Sequence, residues 1–276
     1  MKNVLTIGLC LMIFCLSKAQ EKTKIPYGYN EQAGAYFEVE KETRLYYEVY
    51  GEGEPILMLH GGVYGYIDEF EFFIDALSKD HKVICLATRG HVKSDIGQEP
   101  FTYAQRARDA HVLLEHLDIA QATVIGFSDG GYSAYTMAAD YPENVKKMVV
   151  IGAGDAPPGS GVNYGYSEEK LMKEAREYFK NRLAHMPEPD RWGESLDWLN
   201  ALYEKEVVSQ KILEKINCPV LIMAGDGDEY SSPDTLLKAH KWIKQSQLSL
   251  IPGCGHVVFY CNWNAVWASV APFLKK

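Results

Sequence analysis

Short apolar runs recur along the chain at residues 56–59, 83–87, 123–127, 148–151 and 220–224, and a last strand-like run lies at 248–251. Such continuous runs suit strands buried on both faces, so these segments predict a parallel sheet. Residues 35–40 and 44–50, ahead of them, behave differently. Leu45, Tyr47 and Val49 alternate with polar neighbours, and Gly51-Glu52-Gly53-Glu54-Pro55 then breaks the pattern as a turn. This predicts a hairpin-like start to the sheet. Between the apolar runs the period becomes helical. Ala107, Ala110, Leu113, Leu114 and Leu117 fall on one helical face, as do Ala134, Met137, Ala138 and Tyr141, with Pro142 as a stop. Strands alternating with helices define an α/β fold, a mostly parallel central sheet flanked by helices with right-handed crossovers.

One stretch breaks the alternation. Residues 155–216 contain no convincing strand. They open with Ala156-Pro157-Pro158-Gly159-Ser160-Gly161 and continue as helix-rich sequence carrying Tyr164, Tyr166, Trp192, Trp198 and Tyr203. The segment is expected to be a helical cap inserted between two strands, with Trp192 and Trp198 contacting substrate. The alternative is a helical edge of the main domain with its aromatics in the core.

The first residues follow other rules. Lys2 gives a positive start, residues 4–16 are almost wholly apolar, and Ser17-Lys18-Ala19 places small residues where a signal peptidase cuts. This predicts a signal peptide over 1–19, a mature chain from Gln20, and export to the periplasm or beyond. The run is short for a membrane span, so no stable anchor is expected after cleavage. The expected layout is then an α/β core over 20–154, cap over 155–216 and core again over 217–276. The net charge of −9, unbroken by any basic run, argues against nucleic acid as a partner. Beyond the leader stand Cys85, Cys218, Cys254 and Cys261. Cys85 sits in an apolar run and reads as a buried thiol, whereas Cys254 and Cys261 could form a bridge or remain two core thiols. No pair has zinc-site spacing, and no metal or other cofactor is expected.

The candidate chemistry lies at the ends of predicted strands. Gly126-Phe127-Ser128-Asp129-Gly130-Gly131 follows one apolar run and opens a helix, the context a G-x-S-x-G nucleophile turn requires. Glycines let the backbone turn sharply there, and the helix N-terminus favours developing negative charge. A serine nucleophile needs a base, and the base needs an orienting acid. His256 lies in the glycine-rich loop Pro252-Gly253-Cys254-Gly255-His256. Asp228 lies in Gly225-Asp226-Gly227-Asp228, where Asp226 competes by position. The order Ser128, Asp228, His256 gives nucleophile, acid and base. Two N–H donors must meet the oxyanion. One is expected from Asp129 and the other from Leu59-His60-Gly61-Gly62-Val63, with Gly62 preferred over Val63 and Val63 left to contact substrate; His60 is expected to support the loop.

Together with Thr88-Arg89-Gly90-His91-Val92-Lys93-Ser94, these motifs resemble the α/β-hydrolase superfamily over residues 35–274. Its second motif usually reads Asp-x-Arg-Gly-His-Gly-x-Ser; Thr88 stands at the end of the Asp-x portion, and Val92, where glycine is usual, is a departure. The elbow Ser128-Asp129-Gly130-Gly131 is also similar to that of the biphenyl hydrolase-like family. That likeness implies that Asp129 binds a substrate amine beside the scissile carbonyl; Asp129 as a simple helix cap is the other reading. The resemblance implies a serine hydrolase of a small-molecule carboxylic ester acting through an acyl-enzyme, with an α-amino ester as one form of the substrate. Amide cleavage of the proline iminopeptidase type and lactone opening would use the same residues, and a non-catalytic receptor on the same fold is the alternative of another class.

Overall fold

The computed structural model describes residues 25–275, so the expected signal peptide lies outside the described residues. Eight strands form one sheet: β1 (Gly34–Glu40), β2 (Thr43–Tyr50), β3 (Glu54–Leu59), β4 (His81–Leu86), β5 (Ala122–Phe127), β6 (Val145–Ile151), β7 (Val220–Gly225) and β8 (Ser246–Ile251). Their spatial order is β1-β2-β4-β3-β5-β6-β7-β8. β1 and β2 pair antiparallel with each other, and β2 with β4; every pairing from β4 to β8 is parallel. All eight strands anticipated from the apolar pattern are present. The hairpin joins β1 to β2 through residues 41 and 42. The Gly51–Pro55 turn instead carries the chain to β3, which β4 separates from β2.

The helices are α1 (Glu71–Leu77), α2 (Tyr103–His116), α3 (Asp129–Asp140), α4 (Glu168–Leu183), α5 (Trp192–Lys205), α6 (Gln210–Leu213), α7 (Pro233–Trp242), α8 (Val258–Cys261) and α9 (Trp263–Lys275). Both sheet faces are covered, which explains why the central strands read as unbroken apolar runs. Leu57, Val124, Val150 and Ile222 share one core with residues of α2, α3 and α7. Met58, Ile125, Val149 and Met223 share the other with residues of α1, α8 and α9. No described helix is long and apolar enough to cross a membrane.

Between β6 and β7 the chain makes its helical excursion. Ala156 and Val208 exchange backbone hydrogen bonds of 2.9 and 3.1 Å, closing the neck of the cap. α6, inside the expected 155–216 boundary, lies beyond that neck and packs on α3 and α7 of the core. The cap proper is therefore built from α4, α5 and the loop before them. It lies over the carboxyl ends of β3, β5 and β7, where an open α/β sheet presents its loops.

Candidate active site

Ser128 sits at the turn between β5 and α3 with φ 52° and ψ −115°, a conformation strained for a residue with a side chain. The flanking glycines make this turn possible. A Cβ on Gly126 would stand 2.4 Å from the Gly130 carbonyl oxygen, and one on Gly130 would stand 1.9 Å from that of Leu59. The Ser128 amide is anchored to the Ile151 carbonyl at 2.7 Å. Backbone strain thus projects the hydroxyl above the sheet.

His256 comes from the loop after β8. Its Nε2 is 2.9 Å from Ser128 Oγ, and its Nδ1 is 2.9 Å from Asp228 Oδ2. Asp228 is buried, and its Oδ1 also accepts the amides of Tyr230 and Ser231 at 2.9 Å. Those bonds hold the carboxylate in place to orient the imidazole. Asp226 acts elsewhere. Its Oδ1 accepts the Gly253 amide at 2.7 Å, bracing the exposed base of the histidine loop. A disulfide joins Cys254 and Cys261 on either side of His256, while Cys85 is a buried free thiol.

The loop after β3 carries Gly61, Gly62 and Val63 along the wall of the cavity above Ser128. Among the described residues, the amides of Gly62 and Asp129 donate to no other group. His60 stands behind the loop, fully buried. Its Nδ1 lies 2.7 Å from the Gly61 carbonyl, its Nε2 accepts the Thr88 amide at 3.0 Å, and burial holds its pKa well below the usual histidine range. It is a neutral structural brace. Val92 has φ 50°, the backbone that glycine adopts freely at this place in the second motif.

Asp129 is the first residue of α3 and the acid of its first turn. Its Oδ1 has no hydrogen-bond partner among the described residues, whereas its other oxygen is paired. Its Oδ2 is 2.5 Å from Arg106 Nη1, with both side chains sealed from solvent, and accepts the Tyr203 hydroxyl at 3.0 Å. The expected contacts of Trp192 and Trp198 with substrate are corrected. Trp192 is buried against Phe179, and Trp198 meets Phe101 and Arg191; neither lines the cavity. Trp192 and Tyr203 share one stripe of α5, but their eleven-residue separation spans roughly 16 Å of helix. The tyrosine end of that helix, not the tryptophan end, reaches the serine.

The cavity has a volume of about 1170 Å³. Among the described lining residues nine are tyrosines, and Tyr164, Tyr203 and Tyr230 form a connected ring cluster that meets His256. Seven of the described lining residues are aspartate or glutamate. Among them Glu69 accepts the Gly61 amide at 2.5 Å, and burial pushes its pKa up to about 8. Arg182 from α4 is bonded to Asp68 at 3.0 Å. Among the described residues, no cluster of three or more histidine, cysteine, aspartate or glutamate side chains is placed to hold a metal ion. Glu69 and Arg106 were not anticipated from the sequence. Arg106 had a readable signal, because it precedes Ala110, Leu113 and Leu117 on the apolar stripe of α2.

A strained serine at a strand–helix elbow, bonded to a histidine that is bonded to a buried aspartate, defines the α/β-hydrolase class of enzymes, and the chain belongs to that superfamily. The alpha/beta hydrolase fold family matches residues 54–190. The chain is 26% identical to the AB hydrolase superfamily protein YisY of Bacillus subtilis (strain 168), over 87% of this chain and 98% of that protein. It is 28% identical to the serine hydrolase BPHL of Mus musculus, over 77% of this chain and 76% of that protein. Among solved structures, the bromoperoxidase from Bacillus anthracis superimposes with a TM-score of 0.71 at 23% identity, covering 88% of this chain and all of that one. The protein is a hydrolase.

Proposed function

We propose that this hydrolase cleaves a carboxylic ester of a small molecule through an acyl-enzyme. The observation that carries this reading is the unbroken chain Ser128 Oγ, His256 Nε2, His256 Nδ1 and Asp228, each link at 2.9 Å. His256 removes the serine proton as Ser128 attacks the carbonyl carbon; Asp228 keeps the imidazole in the required tautomer. The amides of Gly62 and Asp129 receive the oxyanion, at the positive end of α3. His256 then protonates the leaving alcohol, and water releases the acyl group by the same route in reverse. The test is turnover of p-nitrophenyl acetate, with covalent labelling of Ser128 by a fluorophosphonate. A purified chain that does neither is not an acyl-transfer enzyme, and tight ligand binding in that case would favour a receptor.

Asp129 does not support the α-amino-ester form of this reading, because its carboxylate is already neutralised by Arg106. We also propose that the chain is exported after removal of residues 1–19. The leader pattern supports this, as does the Cys254–Cys261 disulfide, a bond that persists in oxidising compartments. N-terminal sequencing of the protein recovered outside the cytoplasm should begin near Gln20; an intact Met1 on the whole pool would reject cleavage.

A further inference from the structure

The cap contributes more than a wall to this site. Tyr203, in the last turn of α5, reaches down to Gly62 and Asp129, which line the cavity together with Ser128. Its hydroxyl donates to Asp129 Oδ2 at 3.0 Å. It also stands so close to Gly62 that a Cβ there would lie 2.0 Å from the oxygen. The glycine at 62 is thus matched to a tyrosine from the cap.

Tyr203 is itself held from several sides. Its ring meets those of Tyr164 and Tyr166 edge-on, and its carbonyl accepts the Val162 amide at 3.2 Å. Asn200, one turn earlier on α5, exchanges two hydrogen bonds with the backbone of Tyr166 at 2.9 and 2.8 Å. The same oxygen, Oδ2, also meets Arg106 of α2, while Oδ1 has no hydrogen-bond partner among the described residues. One carboxylate oxygen is therefore shared by a core guanidinium and a cap hydroxyl. The guanidinium balances a negative charge that would otherwise oppose an oxyanion beside it. The hydroxyl is bonded to the residue carrying one amide donor and packs against the glycine carrying the other.

We propose that Tyr203 is a positioning residue for the oxyanion hole, through which the cap sets the relative placement of the Gly62 and Asp129 amides. This rests on the acyl-enzyme reading above. Tyr203 touches neither proton in transfer; its single O–H is committed to Asp129. An oxyanion donor displaced by even a fraction of an ångström loses transition-state binding while ground-state binding is little changed.

The experiment compares the full chain with Tyr203→Phe, which keeps the ring and removes the hydroxyl. The expected result is a fall in kcat for p-nitrophenyl acetate of about 10- to 100-fold, with KM within about threefold. Inhibition by a trifluoromethyl ketone, which forms a tetrahedral oxyanion on Ser128, should weaken by a similar factor, whereas acetate inhibition should not change. In a double-mutant cycle, Asp129→Asn combined with Tyr203→Phe should be no slower than the slower single variant. An unchanged kcat in Tyr203→Phe, or a loss confined to KM or thermal stability, overturns the proposal, as does a strictly additive cycle. Absence of turnover and labelling in the wild-type chain overturns the acyl-enzyme reading instead, and the two failures are separately visible.

Discussion

Arg106 Nη1 lies 2.5 Å from Asp129 Oδ2, and both side chains are about 1% exposed. This pair joins a core helix to the nucleophile elbow. Nε, Nη1 and Nη2 of Arg106 have no hydrogen-bond partner among the described residues, so the ion pair with Asp129 is its main compensation. Removing one member of a buried pair strands the other, at a cost of about 3–5 kcal/mol. Arg106→Met is expected to lower unfolding stability in denaturant titration by that amount. Arg106→Met with Asp129→Asn should recover most of it. The same double variant should keep the ratio of kcat/KM for an α-amino ester over its N-acetyl form within about threefold of wild type, since the Asp129 carboxylate is paired with Arg106.

Ser128→Ala and His256→Ala are expected to reduce ester turnover to the background of the assay. Asp228→Asn preserves the shape of the acid but not its charge, and should cut kcat by roughly 10³- to 10⁴-fold through the wrong histidine tautomer. Asp226→Asn should retain at least about a third of wild-type kcat, because Asp226 braces the turn at Gly253 and does not touch His256. Steady-state kinetics on the four variants separates the two aspartates. A full exchange of their effects would reverse the assignment.

The Cys254–Cys261 bridge closes a short loop around the catalytic histidine. Cys254 is buried and Cys261 is exposed, so a reductant can reach the bond. Chain-entropy reasoning gives a loop of this size about 2–3 kcal/mol. Cys261→Ser, or dithiothreitol treatment, should therefore lower the thermal midpoint by several degrees and lower ester turnover in step with loosening of His256. Differential scanning calorimetry with and without reductant is the measurement.

Glu69 carries a pH dependence whose sign is fixed by its burial. Its pKa rises from the ordinary carboxylate range to about 8, so between those two values the folded chain binds a proton that the unfolded chain has released. That contribution to stability must fall as pH rises across the same interval. Asp68, Asp129 and Arg182 are the charged groups acting on it, and its Oε1 holds the Gly61 amide. Above pH about 8 the new negative charge stands beside the oxyanion loop and should lower kcat/KM. Glu69→Gln keeps an oxygen for Gly61 without the titration. It should be more stable than wild type at pH 8, by a margin that shrinks toward pH 4.5, and its alkaline limb should be flatter.

The cavity wall predicts selectivity by charge. Glu69 is protonated below pH about 8 and Asp129 is balanced by Arg106, which leaves Asp68, Glu71, Asp155, Glu206 and Glu229 as acids of the described lining; Arg182, already bonded to Asp68, is the one arginine among the described lining residues and no lysine joins it. A hemisuccinate ester should therefore have a kcat/KM at least tenfold below that of the neutral ester of the same alcohol at low ionic strength. Raising salt to about 0.5 M should narrow the gap by screening the exposed members. Equal rates at low salt would mean that the wall does not reject anions.

The strands, the order of the three catalytic residues and the glycines of the elbow were legible in the sequence because each is dictated locally. A strand covered on both faces must be apolar throughout, and the sharp turn at Ser128 leaves no room for side chains at 126 and 130. The excursion after β6 could be read too, as a gap in that rhythm. Other features depended on distances between segments far apart in the chain. Only the folded structure decided between Asp226 and Asp228, joined Cys254 to Cys261, and paired Asp129 with Arg106 and Tyr203. It also moved the aromatic contact from Trp192 and Trp198 to the tyrosine end of α5, since a helical stripe fixes the direction of a side chain but not which turn of the helix meets the site. Sequence thus determined which groups could do chemistry at the strand ends, and tertiary structure determined which polar and aromatic groups surround them, because those contacts are set by the approach of the cap to the core.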